Sequence, residues 1–381
     1  MADGLLIHAD ALRSADMFLA TGVGTADPFS YIESNGRRIV VTNVLEAETV
    51  RKAGKADDVW LTDELGQREL VKDGMDPDRA GHETVRRALE RAGVHSAVVP
   101  PDFPLGLADY LRGQGLELAP DRGEFELRRR RKDAAAVEGI RLAQRATEAA
   151  FRAAEELLGA ASPGADGLVL DGEPVTCERV SAAITATLRE HGCEGEPPLV
   201  SSGPQIAFVH EQGSGPIRPN EPVVIDIFPR HAASRYCADM TRTFCVGEPA
   251  EEVRHMYRTV RDALRKSSEH IAPGVSGRAL WELACDVIEA AGYRTTRSIA
   301  AGERLEEDFF HSLGHGVGLE VHEHPHLGLA GEDLLPGDVV SVEPGLYRKA
   351  LGGVRIEDLV LVTEDGCELL TDYHYRFEIA S

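Results

Sequence analysis

His311-Ser-Leu-Gly-His315-Gly-Val-Gly-Leu-Glu-Val-His322-Glu323 is the stretch whose reading decides the fold of this chain. Gly314, Gly316 and Gly318 carry no side chains, so other backbone can approach closely and hold the His315 imidazole at a fixed angle to an ion. The rival reading is a phosphate-binding glycine loop. That would want a helix N-terminus with Lys or Arg, and neither is evident here. A satisfied core histidine is the other structural reading, and the surrounding chain has to decide between it and a metal ligand.

Working outward, four carboxylates stand in segments of strand or turn character. Asp226 lies in Val-Val-Ile-Asp-Ile, at the end of an apolar strand where an uncompensated carboxylate is expensive to bury. Asp239 opens the next strand, before Met-Thr-Arg-Thr-Phe. Glu343 follows the predicted strand 339–342 and precedes Pro344-Gly345, a turn that presents its carboxylate. Glu357 sits in Val-Arg-Ile-Glu-Asp-Leu-Val, where period-two alternation puts Arg355 on the same face. Singly, each has a structural alternative: an Asp226–Arg242 ion pair, or an Arg355–Glu357 salt bridge. Together, four carboxylates and an imidazole form a hard, oxygen-rich set for two divalent metal ions, Mn²⁺ first and Co²⁺ or Zn²⁺ as alternatives. Bridging carboxylates hold such ions roughly 3.5–4 Å apart, polarise a carbonyl and yield hydroxide near neutral pH. The chain therefore reads as a hydrolase.

Composition narrows the partners. A net charge of −23 argues against nucleic acid or an anionic membrane as the main one. Hydrophobic content of 43% and charged content of 28% are those of an ordinary soluble globular protein. The six cysteines all lie from Cys177 onward without a CxxC pair, which predicts buried free thiols in a reducing compartment. Residues 1–13 carry Asp3, His8 and Asp10 and do not read as a secretory signal. With no apolar run of about 18 residues, a cytoplasmic protein that does not enter the membrane is expected.

A length of 381 residues predicts two or three domains. Residues 31–42 read as a hairpin turning on Asn35-Gly36, followed by helices at 83–92 and 107–111 around a strand at 97–99. The boundary is placed at about 127–133, giving an N-terminal domain of residues 1–127 and a catalytic domain of residues 128–381. The basic run Arg128 to Lys132 is expected to lead into a solvated helix face. Asp133 then caps an amphipathic helix reaching about Leu158. Further helices are predicted at 180–191, 251–271 and 278–291. Strands are predicted at 222–228, 241–246, 338–342 and 354–363. Helices packed on antiparallel-compatible strands give an α+β fold class.

Six ordered segments carry a family resemblance: Ser202-Gly-Pro with His210; Val224-Ile-Asp226; Ala238-Asp239-Met-Thr-Arg-Thr; Gly314-His315-Gly-Val-Gly-Leu-Glu-Val-His322-Glu; Val342-Glu343-Pro-Gly-Leu-Tyr; and Gly353-Val-Arg-Ile-Glu357-Asp. From about Leu127 onward the chain resembles the pita-bread metallopeptidases, in particular the proline-directed branch of Xaa-Pro dipeptidases (prolidases) and Xaa-Pro aminopeptidases. The opening third, with Leu19-Ala-Thr-Gly and Asp27-Pro-Phe, looks like that family's creatinase-type N-terminal domain.

The resemblance implies that Asp226 chelates one metal, Asp239 and Glu357 bridge both, and His315 with Glu343 completes the other, with a bridging hydroxide as nucleophile. It implies that Glu343 passes a proton to the leaving nitrogen, that His322 donates to the scissile carbonyl and that His210 lines the substrate pocket. His311 resembles a proton-relay histidine, and Arg355 is expected to hold the ligand geometry from behind. The implied substrates are dipeptides or short peptides with proline in second position, and the implied assembly is a homodimer.

Asp226 and Asp239 are slightly further apart than the family's usual spacing, with the insertion falling in the hairpin tip 229–238. Residues 323–342 contain no Arg or Lys to capture a proline carboxylate, which leaves Arg230, Arg348 or a neighbouring subunit. His324 and His326 are expected to be loop residues without a direct role. The alternatives are a metallohydrolase of the same fold acting on a non-peptide small molecule, and a catalytically silent interaction protein. The latter would be expected to lack one of the five ligands.

Overall fold

The structure, a computed structural model, describes residues 2–300 and 302–380. The chain divides into two compact units, Met1–Arg129 and Arg130–Ser381. In the first unit, strands β1 (Gly4–Ala9), β2 (Phe29–Ser34), β3 (Arg37–Thr42), β4 (Asp58–Leu61), β5 (Ser96–Val99) and β6 (Glu117–Pro120) form one sheet in the order β4-β3-β2-β1-β5-β6. Asn35 and Gly36 form the β2–β3 turn with φ of 51° and 75°, the positive values a tight hairpin demands. Alternation along β1 sends Leu6 into one core cluster and Leu5 with Ile7 into the other, so both faces of the sheet are covered. The predicted helix at 83–92 begins earlier, at Pro77. Asp76 caps it by accepting from the Asp78 and Arg79 amides, and Pro77 supplies the fixed φ that starts a helix.

The second unit opens with helix α1 (Ala134–Gly159), capped by Asp133, which accepts from the Ala136 amide at 2.8 Å. Helix α2 (Cys177–Glu190) packs with α1 against the four-stranded sheet formed by Leu199–Ser202, Pro222–Ile227, Met240–Val246 and Glu378–Ile379. Helices α3 (Glu251–Glu269) and α4 (Gly277–Ala290) pack against a five-stranded sheet in the order Glu323–Leu327, Gly314–Gly316, Val339–Val342, Asp358–Val362, Cys367–Leu369. Each sheet therefore turns one apolar face to a helix pair. Val223, Ile225 and Ile227 go to the helices, whereas Val224 and Asp226 take the opposite face by alternation. This is the α+β pita-bread fold.

Three expectations are corrected. The predicted strand 354–363 is broken: Gly352–Arg355 pairs with Gly345–Arg348 as a separate ribbon, and Asp358–Val362 belongs to the five-stranded sheet. Glu357 lies in the break, where the chain passes from one sheet to the other. The basic run is not a solvated face, because Arg130 pairs with Asp338 at 2.7 Å and Lys132 with Glu323 at 3.5 Å, both Lys132 and Glu323 side chains being 2% exposed. Of the six free cysteines five are buried, but Cys367 is exposed. Among the described residues no helix is long and apolar enough to cross a membrane.

Candidate metal centre

Two antiparallel strands set the first pair of carboxylates. Asp226 stands opposite Thr241 and Ile227 opposite Met240, so Asp239 lies just beyond the paired stretch and, two residues before Thr241, on the same face. The longer excursion between them is closed at its base by the Ala238 amide donating to the Pro229 carbonyl at 3.0 Å, next to Asp239. Glu357 is brought to this edge through backbone: its amide donates to the Thr241 carbonyl at 3.0 Å, and the Thr241 hydroxyl donates to Glu357 Oε2 at 2.8 Å.

His315 arrives from the other sheet. A Cβ on Gly314 would lie 2.0 Å from the Ser341 carbonyl oxygen, and one on Gly316 would lie 2.3 Å from that of His324. Only glycine permits these approaches. The His315 ring Nδ1 faces the Gly316 carbonyl at 3.1 Å. A carbonyl can only accept, so Nδ1 carries the proton and Nε2 keeps a free lone pair. Nε2 lies 3.7 Å from Asp239 Oδ2 and 3.4 Å from Glu343 Oε1. One ligand atom from each of Asp239, His315 and Glu357 lies within 4.8 Å of the others, and all three residues are buried.

Asp226 does not pair with Arg242, the partner weighed from sequence. Arg242 points to the far side of its strand, donating to Asp358 Oδ1 at 2.8 Å and to the Glu357 carbonyl at 2.6 Å. Asp226 Oδ2 instead accepts from Arg355 at 2.5 Å. Arg355 also reaches Thr241 Oγ1 at 3.2 Å and the Tyr347 hydroxyl at 3.3 Å. Arg355 and Glu357 do meet on one face, but through Thr241 and not through a salt bridge. Thr241 and Tyr347 are participants the sequence reading assigned no role. Thr241 was recoverable from alternation, two residues after Asp239, whereas nothing local marks Tyr347.

The electrostatics fit a cation. Burial and the neighbouring Glu357, Asp226 and Glu343 carboxylates push the Asp239 pKa well above its ordinary value. Burial, with Glu343 and Asp226, does the same to Glu357. Burial drives Glu343 up to about 8 against the pull of Arg355. Burial and His322 lower His315 to about 4, keeping it neutral and able to ligate. Asp226 Oδ1 and Glu357 Oε1 are buried with no hydrogen-bond partner, a costly arrangement unless a positive ion receives them. The donor set thus matches divalent metal.

The remaining predicted residues are placed as follows. The His322 ring packs edge-on to His315 with centroids 4.3 Å apart and is exposed. His210 is exposed in the turn after a short 3₁₀ segment, Gly203–Ala207. His311 is tied at both ring nitrogens, Nδ1 to the Ser312 carbonyl at 2.7 Å and Nε2 to the Tyr347 hydroxyl at 3.1 Å. Burial, with Arg355, lowers its pKa to about 4. Of the two cations considered for a substrate carboxylate, Arg348 is held by Asp308 at 2.9 Å and Arg230 by Glu194 at 3.0 Å.

The chain belongs to metallopeptidase family M24, whose sequence pattern matches residues 138–364. It is 37% identical over 196 residues to the Xaa-Pro dipeptidase of Pyrococcus furiosus, covering 50% of this chain and 52% of that one. The chain thus spans about half the length of the curated relatives it matches. Its fold is similar to the X-Pro aminopeptidase of Thermotoga maritima, with a TM-score of 0.79 and 24% identity over 100% of this chain and 98% of that one. It is also similar to the prolidase of Pyrococcus horikoshii, with a TM-score of 0.76 and 25% identity over 99% and 95%.

Proposed function

We propose that this chain is a dinuclear-metal exopeptidase that hydrolyses the Xaa-Pro bond at the N-terminus of dipeptides or short peptides. The observation that carries this reading is the buried meeting of Asp239, His315 and Glu357, with Glu343 3.4 Å from His315 and with Asp226 Oδ1 and Glu357 Oε1 left unpartnered. Family membership and the names of the relatives support it. In this reading Asp226, Asp239, His315, Glu343 and Glu357 would together hold two divalent ions, Mn²⁺ being the preferred metal. When bound, such ions polarise the substrate carbonyl and bring the acidity of water close to neutrality.

The chain's own residues then do the rest. Asp226 offers its charge to the substrate's α-ammonium, which fixes cleavage at the N-terminus. His322 and His210 are the hydrogen-bond donors for the scissile carbonyl and the substrate backbone, and a donor aimed at developing oxyanion charge lowers the barrier. Glu343 takes a proton and returns it to the leaving nitrogen. His311, locked by Tyr347, relays protons from the rim. Arg355 keeps Asp226 in place. Proline is selected because an Xaa-Pro bond is a tertiary amide without an N–H. A cytoplasmic homodimer completes the reading.

The test is turnover by metal-stripped and Mn²⁺-reloaded protein on Xaa-Pro and Xaa-Pro-Yaa peptides beside Xaa-Ala controls. Metal-dependent cleavage confined to proline substrates is expected. Equal rates on Xaa-Ala would remove the proline claim, and no metal-dependent cleavage would remove the peptidase claim.

A further inference from the structure

We propose that Glu323 and Lys132 are positioning residues for His322: their buried ion pair fixes the loop that holds the His322 ring toward the scissile carbonyl. This deepens the Xaa-Pro reading above, in which His322 is that donor, and rests on it. The loop comprises residues 317–322. It leaves the sheet at Gly316 and returns at Glu323, which stands opposite Gly316, whereas His315 stands opposite His326. The register slips between these two pairs, so the loop lies outside the ladder and needs other anchors.

The Glu323 side chain supplies one by folding back inside the loop. Its Oε1 accepts from the Leu319 amide at 2.9 Å and from the Glu320 amide at 3.4 Å. A Cβ on Gly318 would lie 2.4 Å from the same oxygen, so the carboxylate fills the space a side chain there would need. Oε2 meets Lys132 Nζ at 3.5 Å, and both side chains are 2% exposed. A carboxylate so withdrawn from water keeps its charge only with a cation beside it, and Lys132 is that cation. A second anchor is the Cys237 amide, which donates to the Gly318 carbonyl at 2.7 Å and ties the loop to the chain just before Asp239. His322 adjoins Glu323, is exposed, and sets its ring edge-on to His315 with centroids 4.3 Å apart. An exposed ring reaches a fixed point only if its backbone is held. A misplacement of about 1 Å can cost roughly a hundredfold in rate.

The experiment is a double-mutant cycle on Mn²⁺-loaded protein with Leu-Pro, combining Lys132→Met with His322→Ala. Lys132→Met alone should lower kcat by about ten- to a hundredfold with KM little changed. In the His322→Ala background it should cost no more than about twofold, because the two residues act as one unit. Since Lys132→Met leaves a buried charge, the cycle is repeated with Lys132→Met/Glu323→Gln, which leaves none and should give a smaller loss of the same kind. If Lys132→Met does not fold, the second cycle alone decides. In the metal-free protein the His322 ring resonances should shift or broaden in both variants, while those of His8 stay in place. Losses that add to that of His322→Ala, an unchanged kcat, or unchanged His322 resonances overturn the proposal and leave the Xaa-Pro reading intact. Absence of Leu-Pro cleavage by wild type overturns both.

Discussion

Asp226 and Arg355 touch at 2.5 Å although one belongs to the four-stranded sheet and the other to a separate two-stranded ribbon. The Arg355 side chain is 5% exposed and that of Asp226 14%, so the pair is largely withdrawn from water. Removing one member of such a pair leaves the other charge uncompensated, which costs more than the pair itself contributed. Arg355→Ala is therefore expected to destabilise the metal-free protein by about 3–5 kcal/mol in urea titrations. Arg355→Lys should fall between, because an ammonium cannot serve Asp226, Thr241 and Tyr347 with one planar fork. Stability of Arg355→Ala within a few tenths of wild type would refute the assigned role.

A methyl group at position 314 has nowhere to go. It would meet the Ser341 carbonyl oxygen, which is strand backbone and cannot rotate aside. Gly314→Ala should cost about 1–3 kcal/mol and displace His315, lowering metal affinity with it. Isothermal titration of the stripped variant with Mn²⁺ checks the second half of this prediction.

Metal addition should stabilise wild type by about 2.7 kcal/mol at a hundredfold excess over Kd. Glu357→Gln removes one charge from a crowded carboxylate cluster. It is expected to leave the stripped protein as stable as before or more so, and to abolish most of the Mn²⁺-induced rise in Tm. A full metal shift in the variant would show that Glu357 is not a ligand.

Glu343→Gln keeps the shape of the side chain and removes its ability to take a proton. Near-wild-type circular dichroism and melting, with turnover on Xaa-Pro substrates lost by at least about a hundredfold, is the expected pairing. Rates close to wild type would discard the proton-transfer role.

Within the first unit, burial and the nearby His82 hold His8 down to about pKa 4, and its Nδ1 lies 2.9 Å from Ser30 Oγ. A folded pKa below the unfolded one means that the unfolded chain gains the proton first. The stability contribution is therefore complete above about pH 6.5 and is lost as pH falls toward 4, on the order of 2–3 kcal/mol. His8→Gln should flatten that part of the stability–pH curve, and an unchanged slope in urea melts between pH 7 and 5 would count against it.

Much of this was legible along the chain because its signals are local. The Asn35-Gly36 turn, the Asp133 cap and the alternation of residues 223–227 depend on neighbours a few positions away. What misled was also local in form. A run of basic residues looks solvated until Asp338 and Glu323, about two hundred positions on, fold against it. An apolar run from 354 to 363 looks like one strand until two sheets claim its halves.

The sequence by itself determined the chemistry that is available: four carboxylates and a histidine among glycines, a donor set for hard divalent ions. Only the tertiary structure decided which of them share an edge, that Arg355 and not Arg242 answers Asp226, and that His326 stands beside His315. The physical reason is that strand alternation sets which way a side chain points, whereas its neighbour is set by pairing between strands distant in sequence. That pairing is governed by which apolar faces the two helix pairs bury.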